Sequence, residues 1–321
     1  MRELLAALGR RHEGRLAVIV LVCAVFFSAA APGFRSPGNL MNLLESHAVL
    51  GILAAGLLVV LIAGGIDISC AAIAAVSQYV VALCLMRWGG NWGLALLLAV
   101  GFGAALGVVN AVLIHALRAP PVIVTIATMT LYSSMLLFCT GGATLDELPD
   151  WFTLKLSVLT VPLPVLIAGA ALGMTAFMLH RLSLGRQIFA LGGNPEAARR
   201  IGCNIAGLQC FVYGFSGAMA GLAGLVQAYR VEEAAPAAMA GRELDVLAAV
   251  VLGGASLTGG RGTVSGTVLG IVLLAMLRNG LTLMGVSSYA FGWVTGVVLL
   301  LSMAAASASQ WRLRNGGRHA L

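Results

Sequence analysis

The chain has 321 residues, 60% of them hydrophobic and 10% charged, with a mean hydropathy of +0.98. Soluble domains carry about 25% charged residues, so this composition excludes a soluble globular class and points to a polytopic membrane protein. The net charge of +7 sits mainly in connecting segments and tails, as membrane topology requires, and gives no reason to expect a nucleic-acid partner.

Residues 1–15 carry Arg2, Arg10, Arg11 and Arg15 ahead of an apolar run at 16–31. Ala29, Ala30 and Ala31 resemble a signal-peptide cleavage site, but Pro32 directly after them argues against cleavage. A polar connector at 33–46, amphipathic at Leu40, Leu43 and Leu44, leads to a second span at 48–63. This runs into Gly64-Gly65-Ile66-Asp67-Ile68-Ser69 and an apolar helix at 70–86. Span 92–117 is rich in Gly and Ala and contains Asn110. Pro120 and Pro121 open the next span, 122–139. An acidic connector with Asp146, Glu147 and Asp150 precedes the span at 160–179.

Residues 185–202, GRQIFALGGNPEAARRIG, form a polar run inside this apolar chain. Asn194 is a good N-cap, Pro195 suits the first helical position, and Gly202 suits a left-handed stop. Glu196 near the N-terminus and Arg199 and Arg200 in the last turn match the helix dipole. The Gly192–Gly193 pair permits a tight entry. So short a helix must dock on something to persist.

Beyond it come a span at 207–229, an acidic stretch with Glu232, Glu233 and Glu243, and an apolar run of marginal length at 244–257. Spans at 264–284 and 289–308 and a tail with Arg312, Arg314 and Arg318 complete the chain. The expected fold is an all-α polytopic membrane helix bundle of about ten transmembrane spans. Basic loops on one side and acidic loops on the other put both termini in the cytoplasm. Arg35, Arg87, Lys155, Arg230 and Arg242 dissent. The domain reading is a basic N-terminus at 1–15, one transmembrane domain at 16–308 with a cytoplasmic loop at 181–206, and a basic tail at 309–321.

The two shortest runs each end in a Gly-Gly turn, at 64–65 and 259–260, followed by a further apolar helix. This pattern fits either an internal repeat with broken helices along a transport path or two tight hairpins.

No catalytic set is visible among GxSxG, HExxH or paired-carboxylate patterns. Lys155 is the only lysine and follows no glycine run, which excludes a conventional P-loop. The six cysteines form no CxxC pair and the histidines are scattered, so neither a metal nor a bound cofactor is expected. Asp67 is the one carboxylate close to the interior of an apolar stretch. Such acids are costly and usually functional, but Asp67, or Ser69, also suits a cap on the following helix. Asn110, Thr125, Thr128 and Asn279 belong to a weakly polar set suited to a neutral polyhydroxylated solute, or to interhelical hydrogen bonding. Thr125 and Thr128 are the best pair for the path.

Five motifs taken together resemble one family: GGIDIS at 64–69, APPVIVTIATM at 119–129, the 185–202 run, ELDVLAAVVLGGASLTGGRGT at 243–263, and LRNGLTLMGV at 277–286. They resemble the transmembrane permease subunit of ribose-type ABC importers for simple sugars, over about residues 39–301. The resemblance implies a second permease subunit, identical or paralogous, and a separate cytoplasmic ATPase that uses the ATP. It also implies a periplasmic sugar-binding protein and a bacterial inner-membrane location amid lipid. It identifies 185–202 with the family's coupling loop, which docks in a groove of the ATPase. The loop residues are Gly185, Arg186, Gly192, Gly193, Asn194, Glu196, Ala197, Ala198, Arg199 and Gly202. The implied function is import of a monosaccharide by alternating access; an ion-coupled secondary transporter is the alternative. Two departures bear on substrate: Cys70-Ala71 where the family usually has Val-Gly, and Tyr132-Ser133-Ser134 where it often has Arg-Gly.

Overall fold

The structure is a computed structural model that describes residues 12–158, 161–287, 289–293, 296, 297 and 300. Residues 1–11, the tail and most of the expected span at 289–308 lie outside the described residues. The described chain is all-α apart from one two-stranded hairpin, β1 (Ser157–Val158) and β2 (Val161–Pro162).

Eight of its helices are long and apolar enough to cross a membrane: α1 (His12–Ala30), α2 (Pro37–Ile62), α3 (Cys70–Trp88), α4 (Trp92–Leu117), α5 (Pro121–Thr140), α7 (Leu163–Arg181), α10 (Ile205–Val231) and α12 (Val264–Leu283). Four shorter α-helices lie between them, α6 (Asp150–Thr153), α8 (Ser183–Gly193), α9 (Pro195–Arg200) and α11 (Arg242–Leu252), with a 3-10 turn at Pro32–Arg35.

Two expected spans differ in extent. The run at 48–63 belongs to a 26-residue helix, because Ser36 accepts from the Asn39 N–H at 3.2 Å and Pro37 takes the first helical position. The connector from Pro37 onward is therefore helical. The run at 244–257 forms a helix of only 11 residues, about 16 Å long at 1.5 Å per residue and too short to cross. It ends at Gly253 rather than continuing to Leu257.

The ends of α2 and α11 share one backbone motif. Ala63, Gly64 and Gly65 donate to the carbonyls of Val59, Leu61 and Val60. Gly253, Gly254 and Ala255 donate in the same pattern to Ala249, Val251 and Val250. Gly64 (φ 84°) and Gly254 (φ 93°) hold the left-handed position. The repeated element therefore pairs Gly64 with Gly254, not with Gly259.

Helix α2 forms the axis and is buried throughout residues 48–62. Helix α10 packs along α4, α3 and α2. Its contact with α4 is made by small residues. A Cβ added at Gly103 would lie 2.8 Å from the Gly221 nitrogen, and one at Gly217 would lie 2.9 Å from the Gly107 Cα. Close backbone approach of this kind replaces hydrophobic burial as the source of helix association in lipid. Helix α1, by contrast, exposes Leu21, Val22, Val25 and Phe26 on the outside of the bundle.

The two ends of the bundle differ. One gathers the start of α1, the α2–α3 turn, the α4–α5 turn, α8, α9 and the α11–α12 loop: His12 Nε2 lies 2.9 Å from the Leu252 carbonyl, and the Gly260 N–H donates to the Ile62 carbonyl at 2.9 Å. The opposite end carries an aromatic group of Trp92, Trp151, Phe152 and Tyr229. There Lys155 pairs with Glu232 at 2.6 Å and donates to the Tyr229 carbonyl at 3.1 Å. This pairing accounts for one basic residue that dissented from the charge pattern.

Candidate functional site

The turn between α2 and α3, residues 63–69, carries the first candidate group. Asp67 is buried, and its Oδ1 accepts from the Ser69 N–H at 3.0 Å and the Ser69 hydroxyl at 2.6 Å. These bonds close the turn just ahead of α3, whose N-cap residue Ser69 makes no side-chain capping bond to the helix. The other oxygen, Oδ2, accepts from the Ser216 hydroxyl on α10 at 2.8 Å, so the same side chain also ties two distant elements. Asn110 on α4 donates to the Ser69 hydroxyl at 2.7 Å. Thr125 on α5 donates to the Ile66 carbonyl at 3.1 Å and accepts from the Ile68 N–H at 3.3 Å. Thr128 is buried one turn further along α5 and donates to the Thr125 carbonyl.

Five of the six polar candidates thus gather around one turn. Asn279 does not join them: it exchanges reciprocal amide hydrogen bonds of 2.9 Å with Asn39, joining α12 to α2 elsewhere. In this conformation the Asp67 group is a packed knot linking the turn to α4, α5 and α10. Buried polar groups of this kind are stable only when mutually satisfied. Two further tyrosines belong to it. Tyr132 donates weakly to Asn110 Oδ1 at 3.4 Å, so one departure from the family pattern joins the knot. Tyr213 on α10 sets its buried hydroxyl over Gly65, with no hydrogen-bond partner among the described residues.

The second candidate group is the polar run at 185–202. Helix α8 turns Leu184, Ile188 and Leu191 toward the bundle and Arg186 and Gln187 outward. Gly185 sits against the Leu179 carbonyl, where a Cβ would collide with backbone. Asn194 caps α9 by accepting from the Ala197 N–H at 3.0 Å, and Gly202 is left-handed at φ 90°. Ala198 is buried; Glu196, Ala197, Arg199 and Arg200 are exposed, and Ile201 is 75% exposed beside them. The helix therefore rests on its own protein through one small residue and offers the rest of its surface outward.

Gly192 and Gly193 do not form a tight entry; they are the last residues of α8. Their role in the structure is close approach. A Cβ at Gly192 would collide with the Ile62 carbonyl oxygen and lie 2.6 Å from the Gly260 nitrogen. One at Gly259 would lie 2.7 Å from the Gly64 Cα and 2.7 Å from the Gly192 carbonyl oxygen. Three Gly-Gly pairs, at 64–65, 192–193 and 259–260, converge on one point. The exposed helix α9 follows directly on one side, and the Asp67 turn directly on the other.

A third feature joins two motifs. Arg278 of LRNG donates to both oxygens of Asp245 of ELD at 2.7 and 2.6 Å. No local signal marks these two residues as partners; only their opposite charges at the edge of apolar runs hint at it.

Comparison with known proteins bears on what these groups serve. The family described as "Branched-chain amino acid transport system / permease component" matches residues 39–303. The chain belongs to this permease family. The ribose import permease of Escherichia coli is 37% identical over 92% of this chain and 96% of its own length. That of Bacillus subtilis is 36% identical over 88% of this chain and 89% of its own. The xylose transport permease of Haemophilus influenzae is 26% identical over 89% and 93%. The family description refers to amino acids, whereas these relatives are sugar permeases. No solved structure matches the chain. A multi-pass membrane permease is thus shown from two directions, by membership of this family and by helices of spanning length.

Proposed function

We propose that this permease imports a monosaccharide across the bacterial inner membrane by alternating access, driven by a separate ATPase subunit that grips α9. The sugar class rests on the ribose and xylose permeases to which the chain is similar. The α9 end of the bundle faces the cytoplasm in this reading, because Arg118, Arg181, Arg186, Arg199, Arg200 and Arg261 lie toward it and most acidic loop residues lie at the other. The complex holds two permease subunits, the ATPase and an external sugar-binding protein.

The observation that carries the coupling reading is the glycine junction. Helix α8, which leads directly into the exposed capped helix α9, is seated through Gly192 on the turn that Ser69, Ile66 and Asp67 tie to α4, α5 and α10. Movement of α9 reaches the turn through backbone contact at Gly192 and passes to those helices through the buried side-chain hydrogen bonds of the turn. The test is uptake of labelled ribose and xylose by the complex in proteoliposomes containing ATP and the binding protein. Uptake is expected to require ATP and to survive a proton or sodium ionophore. Uptake abolished by the ionophore with ATP intact assigns the chain to ion-coupled transport instead.

A further inference from the structure

A cavity of about 950 Å³ opens between the α4–α5 turn and the α9–α10 turn, at the end of the bundle that carries α9. Its lining includes Arg118, Arg199, His115 and Gln209 and contains no carboxylate. Neither arginine has an ion-pair partner among the described residues. Arg118 occupies the left-handed position that closes α4 (φ 52°), and Arg199 lies in the last turn of α9. The mouth of the cavity is therefore formed by a loop of the membrane bundle on one side and by α9 on the other. The remaining wall includes Asn204 and apolar side chains such as Ile114 and Pro121.

The level of this cavity along the bundle is set by the spans themselves. Helix α4 ends at Leu117 and α5 starts at Pro121, so the cavity lies where a bilayer places its phosphates. Leu117 is 64% exposed, and Ile123 and Ile126 are exposed on the first turns of α5. These apolar surfaces continue away from the arginines along the helices. A ligand with an anionic head and an apolar tail matches both features, and basic pockets between helices on the cytoplasmic side are known to take acidic lipid head groups.

We propose that this cavity binds the phosphodiester head group of an acidic phospholipid, with Arg118 and Arg199 holding the phosphate. Because Arg199 belongs to α9, the bound lipid bridges the bundle and the helix that the ATPase grips. Lipid charge then sets how firmly α9 is held against the α4–α5 turn. The site rests on the reading above only for which leaflet supplies the lipid; binding itself needs no ATPase.

The test is native mass spectrometry of the delipidated full-length permease titrated with phosphatidylglycerol, phosphatidylcholine or inorganic phosphate. The expected result is retention of one phosphatidylglycerol in preference to phosphatidylcholine. The double variant R118Q/R199Q is expected to weaken it about 30-fold, the weight of two juxtamembrane basic residues. R118K/R199K, which keeps both charges, is expected to retain most of the binding and thereby controls for misfolding. The control R35Q/R87Q, at arginines far from the cavity, is expected to bind as wild type. Equal retention of the two lipids, or an unchanged affinity in R118Q/R199Q, overturns the proposal. So does displacement of the lipid by millimolar inorganic phosphate, which assigns the cavity to a soluble anion. Loss of bound lipid when the ATPase is added likewise assigns the cavity to an acidic protein surface. Failure of ATP-driven uptake leaves all of these readouts intact, so the two readings fail separately.

Discussion

Gly192→Ala places one methyl group at the point where three loops meet. The added carbon overlaps the Ile62 carbonyl and sits 2.6 Å from the Gly260 nitrogen, within the 2.9 Å hydrogen bond that joins those two residues. Carbon contacts need about 3.5 Å, so the loops must part by about 1–2 Å. Overpacking of this kind costs about 1–3 kcal/mol. The bridging hydrogen bond adds about 1 kcal/mol if it breaks. The total, about 2–4 kcal/mol, falls on the contact between α8 and the Asp67 turn and not on the spans. The protein is therefore expected to insert and to hold its ATPase, while force from α9 no longer reaches the bundle. In proteoliposomes, sugar taken up per ATP hydrolysed is expected to fall by at least about tenfold, a decade being about 1.4 kcal/mol. Gly193→Ala is the matched control, because nothing lies within 4 Å of its added Cβ. Wild-type coupling and wild-type thermal stability in Gly192→Ala refute the reasoning, since the junction would then be slack.

Three other outcomes follow from named contacts. Asp67→Ala removes the acceptor of three hydrogen bonds and is expected to lower stability by about 3–5 kcal/mol, read as a large drop in the melting midpoint in detergent; Asp67→Asn, which keeps one acceptor oxygen, should lose markedly less. Ile201→Asp changes a side chain 75% exposed, so melting is expected to stay within about 0.5 kcal/mol of wild type while co-purification with the ATPase weakens; undiminished co-purification removes Ile201 from the docking face. Asp245→Ala leaves Arg278 unpaired in a partly exposed site, for an expected loss of about 1–2 kcal/mol after solvent screening. Restored melting in the double variant Asp245→Ala/Arg278→Met is the check on that pair.

The features legible in the sequence are those whose partners lie within about four residues. Asn194 caps α9 from three residues away, and Asp67 closes the turn before α3 through Ser69 two residues on. Gly202 stops α9 in the left-handed region. Each depends on local donor and acceptor geometry that residue types announce. The extents of α2 and α11 were harder to read. An apolar run shows where a helix can cross lipid, but helix ends follow caps and glycines, which here lie at Ser36 and at Gly253–Gly254. Gly192 was visible as a glycine, but its reason was not. A Gly-Gly pair reads as a turn, and only the neighbouring backbone reveals that the missing Cβ makes room.

The sequence by itself determined the membrane class, the all-helical architecture, the absence of a conventional P-loop and the family motifs, because composition and local pattern suffice for each. Only the tertiary structure decided which of its polar residues meet. Spans such as α2 and α3 are apolar on nearly every side, so periodicity does not say which face looks inward. Ser216 reaches Asp67 across 149 residues of chain, Asn110 reaches Ser69 across 41, and Asn279 goes to Asn39 instead. The convergence of the Gly64, Gly192 and Gly259 loops is of the same kind. It exists because backbones without side chains can touch, and which backbones touch is set by how the helices pack.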